Sequence, residues 1–385
     1  MSQSKASVHV WVPELTSTRG GIQAFSRHLV EAVATIAGGD RVRVFSKNDR
    51  GSAVAPGTNV VIRGFGKWPP VLRTTAFAVG IVLRAIQDRP ALIITTHLNF
   101  GVAAYMAKRL SRSPYWCVAH GIEAWNLGRK IRSFGLRKTD LVLAVSNYTR
   151  RRLLDEQTMS PDKIVILPNT VRGESLVPGP KPDYLMRRHG LTDRHKIILT
   201  VARLAEPERY KGYDNILRAL PKVRQSIPEI HYVLVGGGAD RPRVEQLIRD
   251  LEVADIVTLA GAAAEKELGD YYNLCDVFAM PSKGEGFGIV YLEAMACGKP
   301  VLAGKTDGSA DPLQDGRVGL LVDPDDVSAM AVILTQVLNG NYPSEILYSP
   351  EKLRAATLER FGFDRFVSRV NGLLSDFAPD LGVAK

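Results

Sequence analysis

Residues Asp276 to Gly304 read DVFAMPSKGEGFGIVYLEAMACGKPVLAG. The apolar run DVFAMP leads into a turn containing Gly284, Gly286 and Gly288, then a helix-forming run from about Ile289 to Ala296, and then a second apolar run, PVLAG. Two continuous apolar strands joined by a helix form a βαβ unit, whose parallel strands are covered on both faces. Gly298 fits the left-handed position that closes a helix. Two carboxylates stand out in this packing unit: Glu285 in the turn and, eight residues on, Glu293, one turn into the helix. They fit a plain turn followed by a helix whose Glu faces water, and equally a pair of acceptors for ligand hydroxyls.

The same alternation extends along the whole chain. Upstream runs are VHVWV (8–12), RVRVF (41–45), ALIIT (91–95), YWCVA (115–119), LVLAVS (141–146) and KIVILP (163–168). The second half adds KIILTVA (196–202), HYVLVG (231–236), DIVTLAG (255–261) and GLLVD (319–323). At 385 residues the chain exceeds one ordinary domain, and two domains of roughly 180 residues each are the natural division. The expected fold is α/β: two doubly wound Rossmann-like domains facing a central cleft, with ligands outside the carboxyl ends of the strands. The boundaries expected are 1–172 for the first domain, 173–190 for a Pro- and Gly-rich linker, 191–360 for the second domain and 361–385 for a C-terminal helix.

With 45% apolar and 23% charged residues, the composition is that of a folded soluble protein rather than a disordered or fibrous one. The three cysteines, Cys117, Cys275 and Cys297, lie far apart with no metal-ligand spacing and read as core residues of a reducing compartment. MSQSKASVHVWV has no long apolar core after Lys5, so no secretory signal is expected. The most lipid-like run, Thr74 to Leu83, is about half the ~20 residues of a spanning helix. A cytoplasmic location is therefore expected. Charge divides the halves: up to Pro180 there are 25 Lys and Arg against 11 Asp and Glu, and from Lys181 onward 25 against 29. A basic first half suggests an anionic partner. No motif favours nucleic acid.

The strand ends carry the candidate chemistry. After the first strand, Gly20-Gly21 precedes a helix starting near Ile22, where free backbone N–H groups suit an anion, as would an ordinary strand-to-helix turn. After YWCVA comes His120-Gly121, a cleft residue or a structural His. Arg203 and Lys211 flank the first turn of the second half and could neutralise two phosphates, unless Glu206 and Glu208 pair with them. Gly236-Gly237-Gly238 does not make a dinucleotide site, because the glycine spacing and the acidic partner are missing. Beside Glu285 lie the backbone N–H groups of Gly286, Phe287, Gly288 and Ile289. Asp323, Asp325 and Asp326 read as a strand-to-helix turn rather than a metal cluster.

Taken together, these residues resemble the retaining glycosyltransferases of the GT-B fold, family 4 group. The resemblance rests on E-G-F-G-I-V-Y-L-E, Glu285 to Glu293, which is similar to that family's E-x7-E signature. Gly20-Gly21, His120-Gly121, Arg203 with Lys211-Gly212, Pro281-Ser282 and Ala294 to Pro300 support it in the family's order. The resemblance implies transfer of a sugar from a UDP- or GDP-linked donor to a glycan or lipid-linked acceptor, with the anomeric configuration retained and no metal cofactor. It implies an acceptor-binding first domain, a nucleotide-sugar-binding second domain and a last helix crossing back to the first. It assigns the diphosphate to Arg203 and Lys211, the ribose to Glu293 and the transferred sugar to Glu285. His120 is implied to contact the sugar, and Gly21 to let its loop approach the phosphates.

Three features depart from the family pattern. Arg203 and Lys211 are eight residues apart, wider than the commonest spacing; KTDGSADPL stands where many members have two glycines and a later Glu; and Asn169-Thr170 replaces a frequent Asn-Gly. The alternatives are another GT-B enzyme, such as a nucleotide-sugar epimerase, and a non-catalytic nucleotide-sugar-binding subunit. The expected product is a cell-surface polysaccharide or glycolipid. The basic first half, with the clusters Arg129-Lys130-Ile131-Arg132, Arg137-Lys138 and Arg150-Arg151-Arg152 and the apolar-basic segment Trp68 to Arg84, suggests a peripheral place at the inner face of an anionic membrane. A solvated charged face is the other reading.

Overall fold

The computed structural model describes residues 6–16, 20–128, 131–378 and 381. Chain contacts divide it into two compact units, one formed by residues 1–170 with 363–385 and the other by 171–362.

Unit 1 contains an eight-stranded sheet ordered β3-β4-β2-β1-β5-β6-β7-β8. Its strands are β1 (Val8–Val12), β2 (Val42–Ser46), β3 (Arg50–Val54), β4 (Val61–Phe65), β5 (Leu92–Thr95), β6 (Tyr115–Ala119), β7 (Leu141–Ala144) and β8 (Ile164–Ile166). The six expected runs are all present and pair in parallel. The hairpin β3–β4, which the apolar pattern does not reveal, adds an antiparallel edge. Its residues alternate between exposed and covered, so the segment lacks the unbroken apolar run of a strand buried on both faces. The helices are α1 (Gly21–Ala37), α2 (Pro70–Asp88), α3 (Gly101–Ser111), α4 (Ile131–Arg137) and α5 (Asn147–Gln157).

Unit 2 is an all-parallel six-stranded sheet ordered β11-β10-β9-β12-β13-β14. The strands are β9 (Lys196–Val201), β10 (Ile230–Val235), β11 (Val257–Gly261), β12 (Val277–Met280), β13 (Val301–Gly304) and β14 (Leu320–Val322). All six occupy the apolar runs of the sequence. The helices are α6 (Asp183–Arg188), α7 (Tyr213–Ser226), α8 (Arg241–Asp250), α9 (Leu268–Leu274), α10 (Ile289–Ala296), α11 (Val327–Leu338) and α12 (Pro350–Phe361).

After Gly362 the chain continues as α13 (Phe363–Phe377), which belongs to unit 1. Its buried stripe, Phe366, Val370 and Leu374, recurs every four residues, the spacing of one helical face. Phe366 meets Phe25 of α1 edge-on at 5.7 Å, and Phe377 meets Trp116 at 5.4 Å.

The segment expected as a linker is instead part of unit 2. Arg354 of α12 donates to the carbonyls of Gly173, Leu176 and Ala296. Asn273 bonds Val177 and Gly179 on both sides of its amide, and Lys181 pairs with Asp276 at 2.7 Å. Pro and Gly remove helical and strand periodicity but leave backbone polar groups that must still find partners. Here long side chains of unit 2 supply them.

In each sheet the strand order reverses once along the central strands, between β1 and β5 in unit 1 and between β9 and β12 in unit 2. Chains leaving the carboxyl ends of those strands diverge, which opens the crevice where open α/β sheets bind ligands. In unit 2 the turns after β9 and β10 interlock. Leu204 N–H donates to Gly237 O at 3.0 Å and Asp240 N–H to Leu204 O at 3.0 Å. Gly236 has φ +146°, and a Cβ there would lie 1.7 Å from Ala202 O. Gly238 has φ +152°, and a Cβ there would lie 2.0 Å from Leu204 O, so close backbone packing explains the first and third glycines, whereas a Cβ on Gly237 would meet nothing nearer than 3.9 Å. Gly236→Ala is expected to lower the unfolding free energy by more than about 2 kcal/mol. Urea denaturation checks this, and wild-type stability would refute the steric account.

Candidate functional site

In unit 2, Arg203 follows β9, and a 3₁₀ turn over Glu206–Lys211 carries the chain to Gly212, where α7 is about to begin. This turn absorbs the wide spacing of the two cations. Arg209 within it donates through Nε and Nη2 to Asp240, which also accepts from Arg243. Hydrogen bonds from Arg209 and then Arg243 hold the Asp240 carboxyl well below the usual carboxylate range. The turn is therefore tied to the head of α8, and Lys211 is directed back over the strand ends.

There Lys211 meets the turn after β12. Its Nζ lies 2.7 Å from Glu285 Oε1 and 3.7 Å from Glu208 Oε2, with the side chain only 16% exposed. Burial alone would lower the ammonium pKa, but Glu285 leads the groups that outweigh it, so the net shift is well upward and Lys211 is charged. Arg203 pairs with Glu208 while its side chain stays 69% exposed. The expected phosphate-holding cations are brought together, and the competing pairing foreseen for Glu208, though not for Glu206, is realised.

The turn carrying Glu285 is held from below. Asp307, after β13, accepts from Ser282 Oγ at 2.8 Å, Glu285 N at 2.6 Å and Ser309 N at 2.9 Å. Gly308 N–H donates to Glu285 O at 2.9 Å. Burial raises the Asp307 carboxyl, with the N–H donors of Ser309 and Glu285 opposing it. A Cβ on Gly308 would fall 2.2 Å from Gly286 O, and one on Gly212 2.2 Å from Pro281 O, so three turns close on one another only through glycine. Asp307 escaped the sequence reading, although an Asp followed by Gly-Ser after a strand is a turn-capping pattern.

Gly288 takes φ +83° before α10. The first N–H groups of that helix, beginning at Ile289, lack intrahelical acceptors. The Phe287 side chain is buried against Phe361 at 5.6 Å, so only its backbone faces the turn. Glu293, one turn along α10, receives a 2.6 Å hydrogen bond from Tyr272 Oη, a partner the sequence did not indicate. Burial raises its pKa, and the Tyr272 bond opposes the shift.

In unit 1, α1 begins at Gly21, and among the described residues a Cβ on Gly21 would meet nothing within 4 Å. Packing against the described residues does not demand glycine there. Gly20 is extended, with φ 170°. Ser17 to Arg19 lie outside the described residues. Asp49 anchors the preceding segment, accepting from Leu15 N at 2.7 Å and Thr16 N at 3.0 Å. His120 follows β6; its Nε2–H donates to Thr96 O at 2.9 Å, and its ring meets Phe25 edge-on at 5.1 Å. Burial pushes its pKa down to about 4, so the imidazole is neutral with Nδ1 as the acceptor nitrogen. Glu123 accepts the His120 N–H at 2.6 Å, and burial raises its carboxyl. The sequence singled out His120 but not this carboxylate beneath its turn.

Among the described residues no group of three or more His, Cys, Asp or Glu is arranged to hold a metal. Asp326 caps α11 through Ala329 N–H, while Asp325 and Asp323 pair with Lys283 and Lys305.

Two sequence-family profiles match the chain: "Glycosyltransferase Family 4" over residues 19–174 and "Glycosyl transferases group 1" over residues 183–355. The chain belongs to this group of glycosyltransferases, and its fold is GT-B. A GDP-mannose-dependent alpha-(1-6)-phosphatidylinositol monomannoside mannosyltransferase of Mycolicibacterium smegmatis is 34% identical over 62% of this chain and 66% of its own length. A D-inositol 3-phosphate glycosyltransferase of Stackebrandtia nassauensis is 27% identical over 84% of this chain and 80% of its own. Among solved structures, sucrose-phosphate synthase of Thermosynechococcus elongatus has TM-score 0.80 at 21% identity, covering 96% of this chain and 98% of that one. Anabaena HepE in complex with UDP-glucose has TM-score 0.79 at 20% identity, covering 96% and 99%.

The Tyr272–Glu293 contact makes a pH-dependent prediction. A carboxyl raised above its ordinary 4.5 keeps a proton in the fold that the unfolded chain has released, so its contribution favours the fold at low pH and is lost as pH rises through the folded value. Tyr272→Phe raises that value further. Stability should fall by about 1–2 kcal/mol near pH 7 and by less near pH 5. Urea unfolding at both conditions checks this; equal losses would show that Tyr272 does not serve Glu293.

Proposed function

We propose that the chain is a retaining hexosyltransferase that moves a sugar from a nucleotide-diphosphate donor to a glycan or lipid-linked acceptor in cell-surface polysaccharide or glycolipid synthesis. The carrying observation is the Lys211 ammonium, held against Glu285 where the turns after β9 and β12 meet, with Arg203 beside it. Two cations suit two phosphates, and a carboxylate beside them suits sugar hydroxyls. Glu293 is proposed for the ribose, the α10 N-terminus for the donor's anionic groups, and Gly20-Gly21 and His120 for the complementary half of the reaction. Among donors we favour a GDP-linked hexose, because the mannosyltransferase relative is GDP-mannose-dependent.

For retention we favour same-face attack. The acceptor oxygen bonds to the anomeric carbon as the bond to the diphosphate oxygen breaks, and the acceptor proton passes to that departing oxygen. Glu285 is a poor nucleophile for the alternative covalent route, because its Oε1 is committed to Lys211 at 2.7 Å. Lys211 and Arg203 would stabilise charge developing on the leaving group, which needs no metal in this scheme. Glu285→Gln is expected to slow transfer by ~100- to 1,000-fold, or about 2–4 kcal/mol, and also to lower the thermal midpoint, because it removes the nearest counter-charge of the largely buried Lys211 ammonium; turnover is therefore compared below the variant's own midpoint. The assay compares GDP- and UDP-sugars with and without chelator. Wild-type turnover by the variant would remove Glu285 from the site, sugar exchange without acceptor would favour an epimerase, and loss of activity on chelation would count against the metal-free scheme.

The acceptor reading rests on the surface of unit 1. Here α2 packs on α3 and α3 on α4. From Lys67 to Gln87, from Gly101 to Ile122 and from Ile131 to Thr139 there is no acidic residue. These helices leave Val71, Leu72, Val79, Leu83, Met106, Leu110 and Ile131 exposed, Val71 at 88%. Arg84, Arg109, Arg132 and Arg137 are exposed on the same helices. Of the other basic clusters, Arg150 bonds Ile164 O and Arg152 pairs with Glu156, whereas Arg129 and Lys130 lie outside the described residues. Among the described residues no helix is long and apolar enough to cross a membrane. We therefore propose peripheral attachment to anionic lipid, each basic residue contributing ~1 kcal/mol near such a surface. The phosphatidylinositol-linked acceptor of the mannosyltransferase relative supports this. The inositol phosphate glycosyltransferase relative supports a second reading, a soluble polyol phosphate acceptor. Sedimentation of the full chain with anionic vesicles should show binding that weakens with salt and is lost in a Leu72→Glu/Leu83→Glu variant. Absence of binding at low salt would favour the soluble acceptor.

A further inference from the structure

The transfer scheme gives no work to Glu208. Its side chain is 12% exposed; one oxygen pairs with Arg203 and the other lies 3.7 Å from Lys211. As a stabilising device this is a poor arrangement, since an Arg exposed at 69% gains little from an ion pair while the carboxylate gives up most of its hydration. What the arrangement does accomplish is to lay a two-oxygen anion across the two cations proposed for the donor phosphates. Arg203 and Lys211 are already balanced by Glu208 and Glu285. A diphosphate added to that set would meet like charge, and one carboxylate must yield. Glu285 is held by Lys211 at 2.7 Å, whereas Glu208 is the looser partner of Lys211, and its other contact is with an exposed guanidinium.

We infer that Glu208 is an internal counter-anion, which occupies the phosphate-holding cations of the empty protein, is displaced when the donor diphosphate binds, and returns to compete with the nucleoside diphosphate product. It thereby sets diphosphate affinity and speeds product release, a step that limits turnover in many enzymes. The inference rests on the donor reading above. Its test is calorimetric titration of inorganic pyrophosphate, GDP and UDP into the full chain, compared with Glu208→Gln and Glu208→Ala. Both variants should bind pyrophosphate and the accepted nucleotide about tenfold more tightly, the effect of removing one like charge at close range. If wild-type protein binds these ligands and both variants bind them equally or more weakly, Glu208 preorganises the cations and the inference fails while the donor reading stands. If wild-type protein binds none of them, both fail.

Discussion

An ammonium group almost out of water must be compensated at hydrogen-bond distance or lose its charge. Lys211 meets that condition only because two turns from neighbouring strands, β9 and β12, converge on it. Much of the local architecture of unit 2 serves this convergence. Arg209 and Asp240 fix the 3₁₀ turn from one side, and Asp307 fixes the backbone of Glu285 from the other. Gly212 and Gly308 remove the Cβ atoms that would hold the turns apart. The strand order supplies the remainder, since the reversal between β9 and β12 leaves their two connections free to part on opposite faces of the sheet while their first residues stay in contact.

Unit 1 meets a related demand with different groups. Its strand ends gather His120, Glu123 and Asp49, each largely withdrawn from solvent and each satisfied by backbone partners. The polar groups there shape turns, and outward-facing positive charge is carried by helices α2, α3 and α4 and also by Arg50, Arg63 and Arg151 on other elements. The division agrees with the charge asymmetry of the chain. The first half carries surplus positive charge on its surface, whereas the second folds paired charges inward around Lys211, Asp240 and Arg243.

Much of the candidate site was legible because its residues stand where helical and strand periods break off. Glu285, Lys211, Arg203 and His120 all follow apolar runs, so the pattern that locates the strands also locates the residues at their ends. Glu208 was visible only as a competing partner, because sequence does not say which of two carboxylates near a cation will point toward it. Asp307, Tyr272 and Glu123 were missed since their importance is a matter of contact across strands. Asp307 lies 22 residues from the backbone N–H it receives, and Tyr272 lies 21 from Glu293. No local spacing encodes such distances.

Composition and period alone determined that this chain forms two α/β units, where twelve of their strands run, and at which strand ends the candidate residues stand. Those features depend on burial, which is written residue by residue in the alternation of apolar and polar side chains. The tertiary structure decided what depends on partners. It added the half-exposed hairpin β3–β4, drew residues 171–190 into unit 2 through Arg354 and Asn273, and returned α13 to unit 1. It also bridged Arg203 and Lys211 with Glu208. In each case the deciding quantity is the distance between groups far apart or ambiguously paired in the chain, and that distance exists only once the sheets have formed.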